Sequence, residues 1–290
     1  MHIEVLSFPI AGPCSASHQS VPKQRLWRSI QRMFRVIRIA VLLPLSLSVC
    51  SDLFSQEPPV TMAPSNSAVI DFCFYEEEWQ TPISGMLVTF TFQPQPYSGY
   101  HQHDSVGRPG GTVDPASVTT DSYGCAGTSY TAPQFAGIVH VIGTGQFELG
   151  EATGTVVIHV NALCCVELGP GVHYTLVGDT PQHPQNHNGT LNVNSRMGDI
   201  AQQFYQQTSI RIRINDMSLN WGGLFDIGRP YGVFWQSPHN EHRWGLNVDV
   251  GTSNLGNYRN LFYNIAAMNG AADGGPILDE GDHFHLRFAY

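Results

Sequence analysis

Between residues 67 and 170 apolar and polar residues alternate in short runs with the two-residue period of β-strands. Ala68 to Phe74, Met86 to Phe92 and Gly154 to Val160 are rich in β-branched and aromatic residues and are separated by Gly, Pro and Ser. That texture predicts a β-sandwich. From residue 171 the pattern becomes mixed. His173 to Val177 predicts an entry strand, and Asn194 to Gln207 a helix with Met197, Ile200 and Phe204 on one face as core. Ile210 to Asn215 alternates strictly and puts Arg211 and Arg213 on the polar side of a half-buried strand.

Two more alternating runs close the chain. Leu246 to Val250 places Asn247 and Asp249 on one face, and Asp282 to Phe288 places His283 and His285 on one face. Between them Tyr258, Leu261, Phe262, Ile265 and Met268 predict a helix that covers the sheet. The expected fold class is therefore a β-rich two-domain protein. A β-sandwich over residues 67–170 is followed by a small α+β domain with a central antiparallel sheet over residues 171–290.

The N-terminus reads differently. Arg32, Arg35 and Arg38 precede the apolar stretch Ile39 to Val49, the order of a secretory signal. The stretch is too short for a confident membrane span. Residues 1–56 are expected to be an export signal, with residues 1–32 an extension upstream of the true start at Met33, and residues 57–66 a Pro- and Ser-containing linker. Export implies a periplasmic, cell-envelope or extracellular location and a mature chain with no transmembrane anchor.

The chain has 290 residues, 14 basic and 23 acidic, for a formal charge of -9. Beyond residue 56 stand 8 basic and 21 acidic residues, a net of -13, and no lysine. Such a body offers nucleic acid no basic patch. Cys73, Cys125, Cys164 and Cys165 allow up to two disulfides in three pairings. Adjacent cysteines in a strand point to opposite faces, so Cys164 and Cys165 are expected to take different partners.

The candidate chemistry gathers in the last fifty residues. His242 and Asp249 stand with six residues between them, Gly245 among them, whose freedom at positive φ lets the imidazole fold back over the following strand. With one of His283 and His285 they make up the His and carboxylate donors of a hydrolytic zinc site, which takes three protein ligands and leaves one position for water. A second H-x-H, His101 and His103, lies among Pro, Gly, Tyr and Asp, and a solvated loop is preferred there to a metal site.

The motif H-x-x-G-x-x-x-D followed by H-x-H resembles the zinc metallopeptidases that include lysostaphin-type enzymes, D-alanyl-D-alanine carboxypeptidases and hedgehog signalling domains. The segments from Pro238 to Val250 and from Asp282 to Phe288 are most similar to penicillin-insensitive murein endopeptidases. The resemblance implies zinc held by His242, Asp249 and His285, His283 as general base, and His239 lining the site. It implies an exported peptidase acting on peptidoglycan peptides. Asn240 and Asn247 depart from residues common in that family, which bears on substrate preference. An alternative follows the dipeptidase branch, with Glu280 as base, His283 as the last ligand and His285 behind it. Trp221, Trp235 and Trp244 are spaced around the ligands, and indole faces suit sugars or peptides. Trp221 and Trp244 are accordingly candidate substrate-binding residues. Arg211 and Arg213 are candidates for a free carboxylate of the substrate. Thr120 to Cys125, with Thr128 to Pro133 and Ala136 to Val141, is similar to the end of bacterial immunoglobulin-like domains, where a D-x-x-G turn joins strands. A rival function of another class is a binding or adhesion module that retains zinc without activity. The oligomeric state has no sequence signature.

Overall fold

The computed structural model describes residues 2–9, 59–103, 106–148, 150–226, 234–236 and 240–290. The first part is built from β1 (His2–Pro9), β2 (Val60–Met62), β3 (Ser67–Tyr75), β4 (Leu87–Pro94), β5 (Thr112–Asp114), β6 (Ser117–Thr119), β7 (Cys125–Thr131), β8 (Gly137–Phe147) and β9 (Gly150–Val160). They form two sheets, β1-β3-β7-β5 and β2-β9-β8-β4-β6. The period-2 pattern explains how the sheets meet. Ile70, Phe72 and Phe74 of β3 and Tyr130 of β7 face Val88, Phe90, Val141 and Ile158 of the other sheet in one core. Burying such side chains contributes on the order of 1.5–3 kcal/mol each, so the alternate positions hold the sheets face to face. The turn expected before β7 is present: Asp121 Oδ1 accepts from the backbone N–H of Tyr123 at 2.8 Å and of Cys125 at 3.0 Å.

Three expectations need correction or limits. Residues 2–9 are not outside the fold: β1 pairs antiparallel with β3 along its length. The apolar stretch at residues 39–49 lies outside the described residues, and among those described no helix is long and apolar enough to cross a membrane. Cys73 and Cys125, register partners on β3 and β7, are bonded to each other. Cys164 and Cys165 are also bonded to each other, not to different partners. The face argument fails there because no strand runs through them. The chain has left β9 and turns at Leu163 with φ 52°.

The second part contains β10 (Val166–Glu167), β11 (Tyr174–Leu176), β12 (Asn188–Gly189), α1 (Leu191–Thr208), β13 (Ile212–Ile214), β14 (Asn247–Gly251), α2 (Arg259–Met268), β15 (Leu278–Asp279) and β16 (His283–Arg287). Its main sheet runs β11-β13-β14-β16-β15, antiparallel except for the β11–β13 pair. Helix α1 begins at Leu191 because the Thr190 hydroxyl accepts from the Val193 N–H at 3.2 Å. Its Met197, Ile200 and Phe204 pack with Phe262 and Ile265 of α2 on the sheet's apolar face, formed by Ile212, Ile214, Val248, Val250, Phe284 and Leu286. The opposite face is polar. Asp249 pairs with His285, and Arg213 and His283 both pair with Gly251, so all four stand on it.

The two large cores divide between Val160 and Leu168, close to the expected boundary. The described residues nevertheless form one compact unit. Gly223 bridges Phe135 of the first part, and the backbone N–H of Leu224 donates to Gln134 O at 2.8 Å. A small third core of Phe135, Leu224 and Trp235 sits at that junction.

Candidate metal centre

Strands β14 and β16 deliver the site. Their register sets Asp249 beside His285, whose Nδ1 is 2.7 Å from Asp249 Oδ1. His242 comes from the turn before β14. Gly245 makes that turn possible: it has φ +65°, and an added Cβ would lie 2.9 Å from both Cys165 Sγ and the Thr190 backbone nitrogen. His242 Nε2 then lies 3.3 Å from Asp249 Oδ2, with the His242 and His285 rings 5.0 Å apart and perpendicular. His242, Asp249 and His285 are all buried, and their ligand atoms lie within 4.8 Å of one another, a group that could hold a metal ion.

Electrostatics favour an ionised centre. Burial alone would raise Asp249, but hydrogen bonds and charge from His242 and His285 outweigh it and hold its carboxyl well below the usual range. Burial would lower His285, yet the bond to Asp249 and the charges of Asp249 and Glu241 raise it. Glu241, unnoticed in the sequence, lies with Oε2 3.2 Å from His285 Nε2. Arg287 grips Glu241 through Nε to Oε2 at 2.5 Å and Nη2 to Oε1 at 2.8 Å. The hydrogen bond from Arg287 is the main reason that the Glu241 carboxyl falls to about 2. Carboxylate backing of this kind orients a histidine that ligates metal, a role His285 could take. Behind Asp249, Asp216 is pushed up to about 6, first by burial and then by the Asp249 charge. It borders a cavity of about 170 Å³ shared with His183, Asn186 and Phe225.

The other predicted residues divide. His283 stands on the same sheet face and is 21% exposed, with Nδ1 2.7 Å from Asp282 Oδ1. Its Nε2 lies 3.4 Å from Glu280 Oε2 and 3.6 Å from Asp249 Oδ2. Trp244 is half-buried two residues beyond His242. His239 lies outside the described residues. The Trp221 ring packs 5.3 Å from His159 of the sandwich and 6.4 Å from Tyr100. Arg213 shares the polar face but donates to Ser253 Oγ at 3.1 Å, and Arg211 donates to the carbonyls of Gly171 and Tyr174. Both arginines therefore serve neighbouring chain segments.

The solvated-loop expectation for the first H-x-H is also corrected. His101 and His103 do lie in the loop after β4, but they are buried beside His183 and Asp226, a second group that could hold a metal. Trp235, expected around the first ligands, packs against this second group, its ring tilted 43° and 4.4 Å from His103. Burial, then His183, Arg108 and His103, holds His101 well below the ordinary imidazole value.

No protein-family profile matches the chain, and no curated protein matches it. Among solved structures, the D0-D1 domain of intimin is similar at 14% identity over 36% of this chain and 45% of that one, with a TM-score of 0.25. The class 5 fimbriae chaperone CfaA is similar at 11% identity over 34% and 51%, with a TM-score of 0.26. A PapD-like domain of human CEP192 is similar at 10% identity over 41% and 97%, with a TM-score of 0.24. The chain thus spans about half the length of the first two.

Proposed function

We propose that the chain is an exported zinc-dependent peptidase that hydrolyses amide bonds, with peptidoglycan cross-links as its substrate. The observation that carries this reading is the buried set of His242, Asp249 and His285 on the polar face of the sheet, with the partly exposed His283 beside it. The donor set fits the ion. Two imidazoles and a carboxylate suit zinc, and ligand atoms on a tetrahedral ion stand about 3.3 Å apart, close to the 3.3 Å between His242 Nε2 and Asp249 Oδ2. When bound, a zinc ion supplies Lewis-acid polarisation of the scissile carbonyl and acidifies water.

The chain's own residues do the rest. Glu241 holds His285 in orientation and Arg287 holds Glu241. Asp282, at His283 Nδ1, fixes that ring so that Nε2 can take the proton of the attacking water and pass it to the leaving amine as the C–N bond breaks. The Cys73–Cys125 disulfide suits an oxidising, exported setting. The peptidoglycan assignment rests on the resemblance of the two histidine motifs to murein endopeptidases.

The test pairs metal analysis of the full chain with digestion of cross-linked muropeptides. His283→Ala should keep the metal of this site and lose hydrolysis by about 100- to 10,000-fold, the range for a positioned acid or base. Loss of that metal in His283→Ala, with retention in His285→Ala, would transfer the base role to Glu280. A wild-type chain with zinc at this site that hydrolyses no peptidoglycan fragment would replace the enzyme by a metal-retaining binding module.

A further inference from the structure

The loop after β4 carries His101 and His103, the Thr180–His183 turn of the second part carries His183, and the segment after Gly223 carries Asp226. Four side chains from distant points of the sequence thus meet at the junction of the sandwich and the second part. Their converging atoms are His101 Nδ1, His103 Nε2, His183 Nε2 and Asp226 Oδ1. His101 Nδ1 lies 3.1 Å from His183 Nε2. Asp226 Oδ1 lies 3.4 Å from His183 Nε2 and 3.6 Å from His103 Nε2. The last two exceed normal hydrogen-bond lengths of about 2.7–3.2 Å. All three bracket the roughly 3.3 Å expected between ligand atoms sharing a tetrahedral ion with bonds near 2.0–2.1 Å.

We propose that His101, His103, His183 and Asp226 form a second metal site, a closed four-ligand zinc-type centre that fastens the sandwich loop to the second part. Four protein donors fill a tetrahedral ion and leave no position for water, the mark of a structural site. The surroundings agree. Phe234 stacks on His103 at 4.7 Å, Trp235 lies 5.1 Å and Phe135 5.9 Å from His101, and Phe225 lies 5.3 Å from His183. Asp226 and the three imidazoles are all buried. A carboxylate taken out of water needs a strong partner. Its other oxygen, Oδ2, accepts from the Trp235 backbone N–H at 2.6 Å, which aims Oδ1 at the histidines. Arg108, over the Trp235 ring, pins the same loop by donating to the carbonyls of Ser98 and Ala136.

This site does not depend on the peptidase reading, and metal counting separates the two. The full chain, purified with zinc, should hold two equivalents. His242→Ala should hold one, and the double substitution His183→Ala with Asp226→Asn, which leaves two of the four ligands, should remove it when added in that background. If the first centre binds nothing, the wild type holds one equivalent that survives His242→Ala and disappears in the double variant. Unchanged metal content in the double variant overturns the proposal. Should that variant fail to fold, cobalt(II) titration of the chelator-stripped wild type and His242→Ala decides. One equivalent with tetrahedral d–d absorption in His242→Ala supports the site, and none overturns it.

Discussion

His242, Asp249 and His285 are carried by paired strands and the turn that feeds them, whereas His101, His103, His183 and Asp226 come from loops of both halves of the molecule. Strand register places the first set on one face of a sheet, beside the partly exposed His283. Loops can wrap a point from all directions, and the second set is enclosed by aromatic rings. Under the two proposals the same donor chemistry serves reaction at one place and fastening at the other. Architecture, more than ligand identity, makes the difference.

The largest expected effect breaks the open centre. His285→Ala removes a ligand and should abolish both one equivalent of metal and muropeptide hydrolysis, because two ligands do not hold a hydrolytic zinc tightly. Thermal stability should be the second readout, and there the closed centre should dominate. An ion present at 1,000 times its dissociation constant stabilises the fold by about 4.1 kcal/mol. For a body of this size each kcal/mol shifts Tm by about 2–4 °C. Chelation should therefore lower the wild-type Tm by roughly 8–16 °C, and markedly less in the double variant His183→Ala with Asp226→Asn. Equal shifts in the two proteins would remove the proposed fastening role.

The difference between the centres also decides what could be read from the sequence. Alternation exposes strand-borne residues, so the sequence puts His283 and His285 on one face of their strand and Asp249 on one face of its own, Gly245 marks the turn, and the pairing of the two strands joins those faces. Arg287, two positions beyond His285, obeyed the same rule and was missed as the holder of Glu241. His101 and His183 are 82 residues apart in loops without period, and only a second H-x-H hinted at them. Helix α1 was placed three residues late because the exposed Leu191 and the polar Asn192 give no apolar stripe, while the Thr190 cap sets the start. An indole suits a ligand and a neighbouring part of the chain equally, and the Trp221 ring packs on His159.

A smaller effect sharpens the open centre. Glu241→Gln keeps the shape of the side chain but replaces one carboxylate oxygen by an amide, weakening both its bond to His285 Nε2 and its grip by Arg287. Loss of such an outer partner costs about 10- to 100-fold in metal affinity or activity. The measurement is zinc affinity by competition with a chelator, together with hydrolysis rate. No change in either would mean that Asp249 alone orients His285.

The smallest effect is expected at Arg213. It shares the polar sheet face with His283, which makes it tempting as a carboxylate receptor, but its guanidinium is engaged with Ser253 Oγ at 3.1 Å and its side chain is exposed. An exposed hydrogen bond of that kind contributes little, so Arg213→Ala should change stability by no more than about 0.5 kcal/mol. It should leave kcat and KM for muropeptides unaltered, unlike the variants of His285 and Glu241. A tenfold rise in KM with kcat unchanged would show that substrate displaces Ser253 from Arg213, since loss of uniform binding raises KM alone. The open face would then extend from His283 across Gly251 to β13, and the contrast with the closed centre would be wider than the ligands alone define.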